Sequence, residues 1–280
     1  MFTGNTRMRD PDGERKPTWI EVPGGALPVW SEGQGAPILL IHGWTLDARI
    51  WTPQTEAWRS SHQVIRYDRR GFGQATAPAD PQAEIDDIRH VLDALELDQA
   101  TIVGMSQGAR SALAFAALNP SRVSALVLAG APFPFAPPDD VPAEIVPIPE
   151  MRRLANQGDW DGLRRLWHAS PLIHMPGATD EATALLLRVS GDYRAADLLT
   201  GLPPIELSEV GLAQMVVPTL LIVGQHDGPL RHAAAERLAA LLPSASRAEI
   251  VGAGHLCTLS HAEDFNRRVI HFLNATKQQS

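Results

Sequence analysis

The stretch ATIVGMSQGARSALAFAALNP, residues 100–120, decides the fold class of this 280-residue chain. Its first six residues form an apolar, β-branched run that is typical of a buried strand, and the rest of the stretch is typical of a helix. The two parts are joined directly by GMSQG, residues 104–108. A turn this tight leaves no room for a Cβ beside the serine and forces Ser106 towards a positive φ. We therefore predict a strand, a sharp turn that raises the Ser106 hydroxyl above a sheet, and a helix.

Elsewhere in the chain, apolar strand-like runs alternate with amphipathic helical stretches, which is typical of an α/β protein with a mostly parallel sheet. Two short alternating runs within residues 18–33 are separated by Gly-Gly and predict an antiparallel hairpin at the start. We predict a three-layer α/β fold with an eight-stranded sheet, whose core is formed by residues 17–132 and 218–280. Residues 1–16 are polar and charged and are predicted to form an N-terminal tail.

Residues 133–217 break this alternation. Seven prolines occur within PFPFAPPDDVPAEIVPIPE, residues 132–150, where they exclude a regular helix or a central strand. Helical stretches follow, and the whole segment is too long for an ordinary loop. We predict a helical cap, or lid, inserted between the sixth and seventh core strands.

The composition excludes several classes of protein. No stretch approaches the roughly 18 continuous apolar residues that a membrane span requires, and the N-terminal residues lack an apolar signal-peptide core. A single cysteine, Cys257, rules out an internal disulfide and predicts a reducing, cytoplasmic location. The formal charge of -8 argues against a nucleic-acid partner.

Ser106 is a candidate nucleophile, provided that a base and an acid lie beside it. A serine hydroxyl attacks a carbonyl well only when a base removes its proton, and that base works best when a third group orients it. Loops at the carboxyl ends of parallel strands supply such groups. Asp227 follows the strand-like run TLLIVG, and His255 follows the last strand-like run, in GAGH. Without such partners, Ser106 between two turn glycines would be an ordinary helix N-cap.

Other residues compete for two of these roles. His226 is adjacent to Asp227, but neighbouring side chains at a strand end tend to point in different directions, so we favour His255 as the base. Asp139 and Asp140 also follow a core strand and stay open as the acid, although several prolines separate them from it. No pair of histidines has the spacing of metal ligands, so no metal site is predicted.

Five motifs occur in order at predicted strand ends: HGW (42–44), YDRRGFG (67–73), GMSQG (104–108), GQHD (224–227) and GAGH (252–255). With these motifs, residues 18–275 resemble serine hydrolases of the α/β-hydrolase superfamily. HGWTLDARIWTPQ and YDRRGFG are particularly similar to the branch of cofactor-free haloperoxidases, perhydrolases and arylesterases. The resemblance implies the α/β-hydrolase fold, a catalytic triad of Ser106, His255 and Asp227, and chemistry that requires no cofactor.

The oxyanion hole of such an enzyme is expected to use two backbone N–H groups. One belongs to Gln107, the residue after the nucleophile, and the other to Trp44, in the loop after the strand-like run PILLIHG. In the branch named above, the residue after His-Gly is an oxyanion donor, which supports Trp44. Gln107 departs from that branch, which usually has methionine at this position.

An apolar cap would line a pocket for an apolar acyl or alcohol group, with Trp167, His168 and Met175 as candidates. The same residues would serve equally well to pack the cap on the core. We predict a serine hydrolase that cleaves a small-molecule carboxylic ester or lactone through an acyl-enzyme. The same triad leaves open a thioesterase, an acyltransferase or perhydrolase, and a C–C bond hydrolase, and the scaffold leaves open a ligand-binding receptor. The sequence also leaves open whether the chain forms a homo-oligomer.

Overall fold

The computed structural model describes residues 16–142, 146–200 and 206–278. Except for its last residue, the predicted N-terminal tail of residues 1–16 lies outside these ranges. None of the helices within the described ranges combines the length and the apolar content that a bilayer crossing needs.

Eight strands form the central sheet: β1 (Thr18–Val22), β2 (Gly25–Glu32), β3 (Ala36–Ile41), β4 (His62–Tyr67), β5 (Ala100–Met105), β6 (Val123–Ala129), β7 (Thr219–Gly224) and β8 (Ala245–Ile250). Their order across the sheet is β1-β2-β4-β3-β5-β6-β7-β8. The predicted hairpin is formed by β1 and β2, and β2 also pairs antiparallel with β4. The other neighbouring strands pair in parallel. The predicted eight-stranded, mostly parallel sheet is confirmed.

The described residues contain eleven α-helices: α1 (Thr52–Trp58), α2 (Ala83–Ala94), α3 (Gln107–Leu118), α4 (Ile148–Gln157), α5 (Trp160–His168), α6 (Asp180–Gly191), α7 (Ala196–Thr200), α8 (Glu209–Ala213), α9 (Pro229–Leu241), α10 (Cys257–Ser260) and α11 (Ala262–Lys277). Strand and helix alternate along the chain on both sides of the stretch from α4 to α8, as the sequence predicts.

Alternate side chains of each strand enter two separate apolar clusters, one on each side of the sheet. In β3, Ile38 and Leu40 belong to the cluster that also holds side chains of α1 and α11. Leu39 and Ile41 belong to the cluster that holds side chains of α2, α3 and α9. The sheet therefore lies between two helical layers, which confirms the predicted three-layer α/β fold.

The helices α4 to α8 lie between β6 and β7, in the segment predicted as a cap. Residues 132–142, the described part of the proline-rich stretch, contain neither helix nor strand. Leu154 of α4, Trp167 of α5 and Leu186 of α6 are buried in the same apolar cluster as side chains of α1 and α11. These helices therefore share one continuous core with that side of the sheet.

The parallel register brings the carboxyl ends of the central strands to one level. Ile41 at the end of β3 pairs with Gly104 of β5. Met105 at the end of β5 pairs with Ala129 at the end of β6, which in turn pairs with Ile222 of β7. The loops that follow these strands therefore meet at one edge of the sheet, which is where open α/β sheets bind their ligands.

Candidate active site

Ser106 occupies the turn between β5 and α3. Its backbone has φ 52° and ψ -118°, outside the regions that residues other than glycine normally adopt. Its N–H donates to the Ala129 carbonyl at 2.8 Å, and its own carbonyl accepts from the Ala109 N–H at 2.9 Å. Because the surrounding backbone holds this strained conformation, the hydroxyl is fixed at the N-terminus of α3.

Two glycines make this turn sterically accessible. A Cβ on Gly104 would collide with the backbone of Gly108. A Cβ on Gly108 would collide with the carbonyl oxygens of Ile41 and His42. Glycine at both positions therefore allows α3 to begin directly against the ends of β3 and β5.

Replacing Gly108 with alanine is expected to destabilise the fold. The new Cβ meets backbone atoms, which cannot move aside as a flexible side chain can, so we expect a cost of about 1–3 kcal/mol. In a chain of this size that cost lowers Tm by roughly 2–12 °C, measurable by calorimetry. Gly191→Ala is the matched control, because a Cβ on Gly191 at the end of α6 meets nothing within 4 Å. Equal Tm values for the two variants would contradict the close packing described above.

His255 and Asp227 form a hydrogen-bonded chain with Ser106. His255 Nε2 lies 2.9 Å from Ser106 Oγ. His255 Nδ1 lies 2.9 and 3.1 Å from the two carboxylate oxygens of Asp227. A neutral imidazole can donate from Nδ1 to the carboxylate while Nε2 accepts from the hydroxyl, and in that arrangement it can take up the serine proton.

The Asp227 carboxylate follows β7 and is buried beside the imidazole. Burial opposes its ionisation, but His255, the Gly228 N–H at 2.8 Å and the charge of Arg231 together hold the pKa of this carboxyl below its usual value. Asp227 is therefore ionised at neutral pH and can stabilise the positive charge of a protonated His255.

The residues that compete for these positions lie elsewhere. The side chain of His226 is exposed, although it is adjacent to Asp227 in sequence. Asp139 and Asp140 are exposed on the loop after β6. The structure thus brings Asp227, rather than either of these carboxylates, to His255.

Trp44 and Gln107, the predicted oxyanion donors, line the same cavity as Ser106 and His255. Trp44 lies in the loop after β3, and Gln107 is the first residue of α3. The first backbone N–H groups of a helix have no acceptor within it. A negative charge that develops beside Ser106 would therefore face these N–H groups and the positive end of the α3 dipole.

Arg69, within the YDRRGFG motif, connects the segments on both sides of Ser106. Its Nη2 donates to Gln107 Oε1 and to both carboxylate oxygens of Glu84, each at 2.8 Å. Its Nη1 donates to the His42 carbonyl at 3.1 Å, and its backbone N–H donates to His42 Nε2 at 3.0 Å. Burial and the Arg69 charge lower the pKa of His42 well below its usual value, so this ring is neutral and structural.

The YDRRGFG motif by itself predicts no contact for Arg69. The sequence does carry one signal for this contact, because Gln107 stands where the haloperoxidase branch usually has methionine. A side-chain amide that is not fully exposed needs a hydrogen-bond partner. The structure shows that Arg69 is that partner.

Asp197 of α7 connects the segment between β6 and β7 to the loop after β3 through a hydrogen bond. Its two carboxylate oxygens accept hydrogen bonds from the Trp44 indole N–H and the Tyr193 hydroxyl, each at 2.6 Å. Burial raises the pKa of Asp197, and these two hydrogen bonds oppose that rise. Trp44 also packs edge-on against Trp167, with ring centroids 4.8 Å apart. No signal in the sequence indicated Asp197, because a lone aspartate in a helical stretch is usually solvated.

A cavity of about 150 Å³ opens beside Ser106. Part of its wall is apolar and comes from α5 and the turn after it, through Trp167, Leu172 and Ile173. The cavity therefore combines a hydroxyl that can attack a carbonyl with an apolar surface that can hold an acyl or alcohol group.

The three predicted pocket residues do not all lie at this cavity. Trp167 does, but His168 and Met175 line a separate depression on the outside of the same segment. His168 turns towards α6, where its Nε2 lies 2.9 Å from Ser190 Oγ. Adjacent residues on a helix point about 100° apart, so His168 cannot share the direction of Trp167. The structure thus corrects the prediction for His168 and Met175.

Known proteins resemble this chain over most of its length. Residues 38–268 match the model of the Alpha/beta hydrolase family. A 2-hydroxy-6-oxononadienedioate/2-hydroxy-6-oxononatrienedioate hydrolase 2 of Pseudomonas putida is 31% identical over 271 residues, which cover 86% of this chain and 89% of that protein. Polyketide synthase ThaQ of Burkholderia thailandensis is 30% identical over 285 residues, which cover 96% of this chain. The chain spans only 13% of the length of that synthase. An esterase from Exiguobacterium antarcticum superposes with a TM-score of 0.79 at 25% identity, covering 92% of this chain and 99% of the esterase.

Proposed function

This chain belongs to the alpha/beta hydrolase family, and we propose that it is a serine hydrolase of carboxylic esters or lactones. The observation that carries the proposal is the hydrogen-bonded chain from Ser106 Oγ through His255 to Asp227. Ser106 and His255 lie at the wall of a partly apolar cavity, where an ester can reach the hydroxyl. Ser106, His255 and Asp227 are accordingly the proposed catalytic residues.

The proposed reaction passes through an acyl-enzyme. Ser106 Oγ attacks the ester carbonyl while its proton moves to His255 Nε2, and Asp227 stabilises the resulting imidazolium. The oxyanion accepts hydrogen bonds from the backbone N–H groups of Trp44 and Gln107. The tetrahedral intermediate then collapses, and His255 returns the proton to the departing alkoxide. Water, deprotonated by the same imidazole, hydrolyses the acyl-enzyme and restores the Ser106 hydroxyl.

The dimensions of the cavity favour a short acyl group. Its volume is about 150 Å³, and an apolar cavity of about this volume holds a ligand the size of benzene. Trp167 and Ile173 form part of its wall, so an acyl chain that outgrew the cavity on this side would have to displace them.

A panel of 4-nitrophenyl esters of increasing acyl length, with a lactone beside them, tests the proposal. We expect steady turnover over many cycles, with the highest kcat/KM for acetyl to butyryl esters. A single slow turnover followed by stable retention of the ligand would instead identify a receptor built on a hydrolase scaffold. A panel in which no ester or lactone is hydrolysed would also refute the proposal.

The likeness to part of a polyketide synthase favours one second candidate, the hydrolysis of an acyl thioester. The same residues would act, because a thioester carbonyl forms the same tetrahedral oxyanion as an ester carbonyl. The test compares one acyl group as a thioester and as an oxygen ester. A much higher kcat/KM for the thioester would favour this second candidate.

A further inference from the structure

The side chain of Arg110 lines the cavity beside Ser106. Arg110 lies four residues after Ser106, its backbone N–H donates to the Ser106 carbonyl at 3.3 Å, and both residues line the cavity. A ligand whose carbonyl reaches Ser106 therefore extends within reach of the Arg110 guanidinium.

The guanidinium of Arg110 has little compensation from the protein. Its Nη2 donates to the Phe133 carbonyl at 3.3 Å, and among the described residues no carboxylate forms an ion pair with it. Burial lowers the pKa of Arg110, and the positive charges of Arg231 and Arg69 lower it further. A partly buried cation without a carboxylate partner is costly, so an anion that enters the cavity would relieve that cost.

The nearby carboxylates already have other partners. Glu84 accepts hydrogen bonds at 2.8 Å from Arg69 and from the Ser111 hydroxyl. Asp227 faces the imidazole of His255. Asp197 is held by the indole of Trp44 and by a tyrosine hydroxyl. Glu84 and Asp197 line a second depression together with Arg110, but among the described residues none of these carboxylates forms a hydrogen bond or an ion pair with its guanidinium.

We propose that the cavity beside Ser106 binds substrates that carry a carboxylate, and that Arg110 is the residue that binds it. The proposal deepens the proposed ester hydrolysis and rests on it for the reacting carbonyl. A guanidinium offers parallel N–H donors that match the two oxygens of a carboxylate. Because Ser106 and Arg110 line one cavity of about 150 Å³, that cavity selects acids in which only a few bonds separate the carboxylate from the ester or thioester carbonyl, as in a half-ester of a short dicarboxylic acid.

Monomethyl succinate and methyl butyrate form the test pair, because they differ only in a terminal carboxylate against a methyl group. The release of acid from each is followed by titration at constant pH. We expect the native enzyme to prefer monomethyl succinate, and Arg110→Gln to lower the ratio of the two kcat/KM values about 10- to 100-fold, the range for charged hydrogen bonds. Arg110→Lys keeps the charge and should retain part of the preference.

Arg165→Gln is the matched control, because Arg165 is exposed on α5 and does not line the cavity. It should leave the ratio unchanged. The proposal is overturned if the native enzyme does not prefer the acidic ester, or if Arg110→Gln reduces both kcat/KM values equally, which would indicate a structural contact with Phe133 alone.

A binding measurement separates this proposal from the proposed reaction. Calorimetry on the Ser106→Ala variant measures the Kd of monomethyl succinate, with Arg110 present or replaced by glutamine. If no ester is hydrolysed but Arg110→Gln weakens binding at least tenfold, the carboxylate site is supported and the proposed ester hydrolysis is refuted. If esters are hydrolysed and Arg110→Gln leaves the Kd unchanged, the proposed reaction is supported and the carboxylate site is refuted.

Discussion

Ser106→Ala is expected to abolish labelling by a fluorophosphonate and to lower kcat for any ester substrate by about 10³- to 10⁶-fold. The alanine has no oxygen that can bond to phosphorus or to an acyl carbon. The conformation of the turn should persist, because it is held by backbone hydrogen bonds to Ala129 and Ala109 rather than by the hydroxyl. Intact-protein mass measurement after exposure to the reagent detects the adduct directly.

Ser124→Ala provides the matched control for this experiment. Ser124 lies on the neighbouring strand β6, is exposed, and does not line the cavity. This variant should be labelled as fast as the native enzyme. A label that persists in Ser106→Ala would transfer the role of nucleophile to another residue.

Asp227→Asn is expected to lower kcat by about 10³- to 10⁴-fold, with a smaller effect on KM. The amide can offer an N–H to His255 Nδ1, which then favours the tautomer that carries its proton on Nε2. In that tautomer the imidazole cannot accept the Ser106 proton. The negative charge that stabilises the imidazolium is lost as well. Pre-steady-state kinetics on a chromogenic ester would show the loss in the acylation step.

Asp140→Asn is the natural comparison, because Asp140 also follows a core strand but is exposed and does not contact His255. Its kcat should stay within about twofold of the native value, as for most surface substitutions. If Asp140→Asn were the more damaging change, the acid would belong to the loop after β6.

The sheet and the positions of the three polar residues could be predicted from sequence for a single physical reason. Parallel strands deliver their carboxyl ends to one edge, so residues that directly follow separate strands meet even when they are far apart in the chain. Ser106, Asp227 and His255 each follow such a run, and the structure places them within hydrogen-bond distance. The resemblance to the α/β-hydrolase superfamily, recognised from motifs at those same ends, is confirmed by the family match over residues 38–268. Catalysis by the three residues stays a prediction for the variants above to test.

The contacts that could not be predicted depend on where long side chains point. Arg69 reaches Gln107 across 38 positions, and the Trp44 indole reaches Asp197 across 153 positions. Periodicity shows that a stretch is helical, but it does not show which residue of α5 faces a cavity and which faces α6. For this reason the sequence cannot distinguish Trp167, which lines the cavity, from its neighbour His168, which turns towards α6.

The hydrogen bond between Trp44 and Asp197 also bears on how well the loop after β3 is held in place. If α7 swung away from the sheet, the indole N–H and the carboxylate would both lose a partner, at a cost of about 1–3 kcal/mol. This bond alone would make such an open state about 5- to 150-fold rarer. The backbone of Trp44 belongs to the loop proposed to stabilise the oxyanion, so departure of α7 would loosen that loop at the same moment. A helix that does not line the cavity would thus set the fraction of molecules in which the loop beside Ser106 is ordered for catalysis.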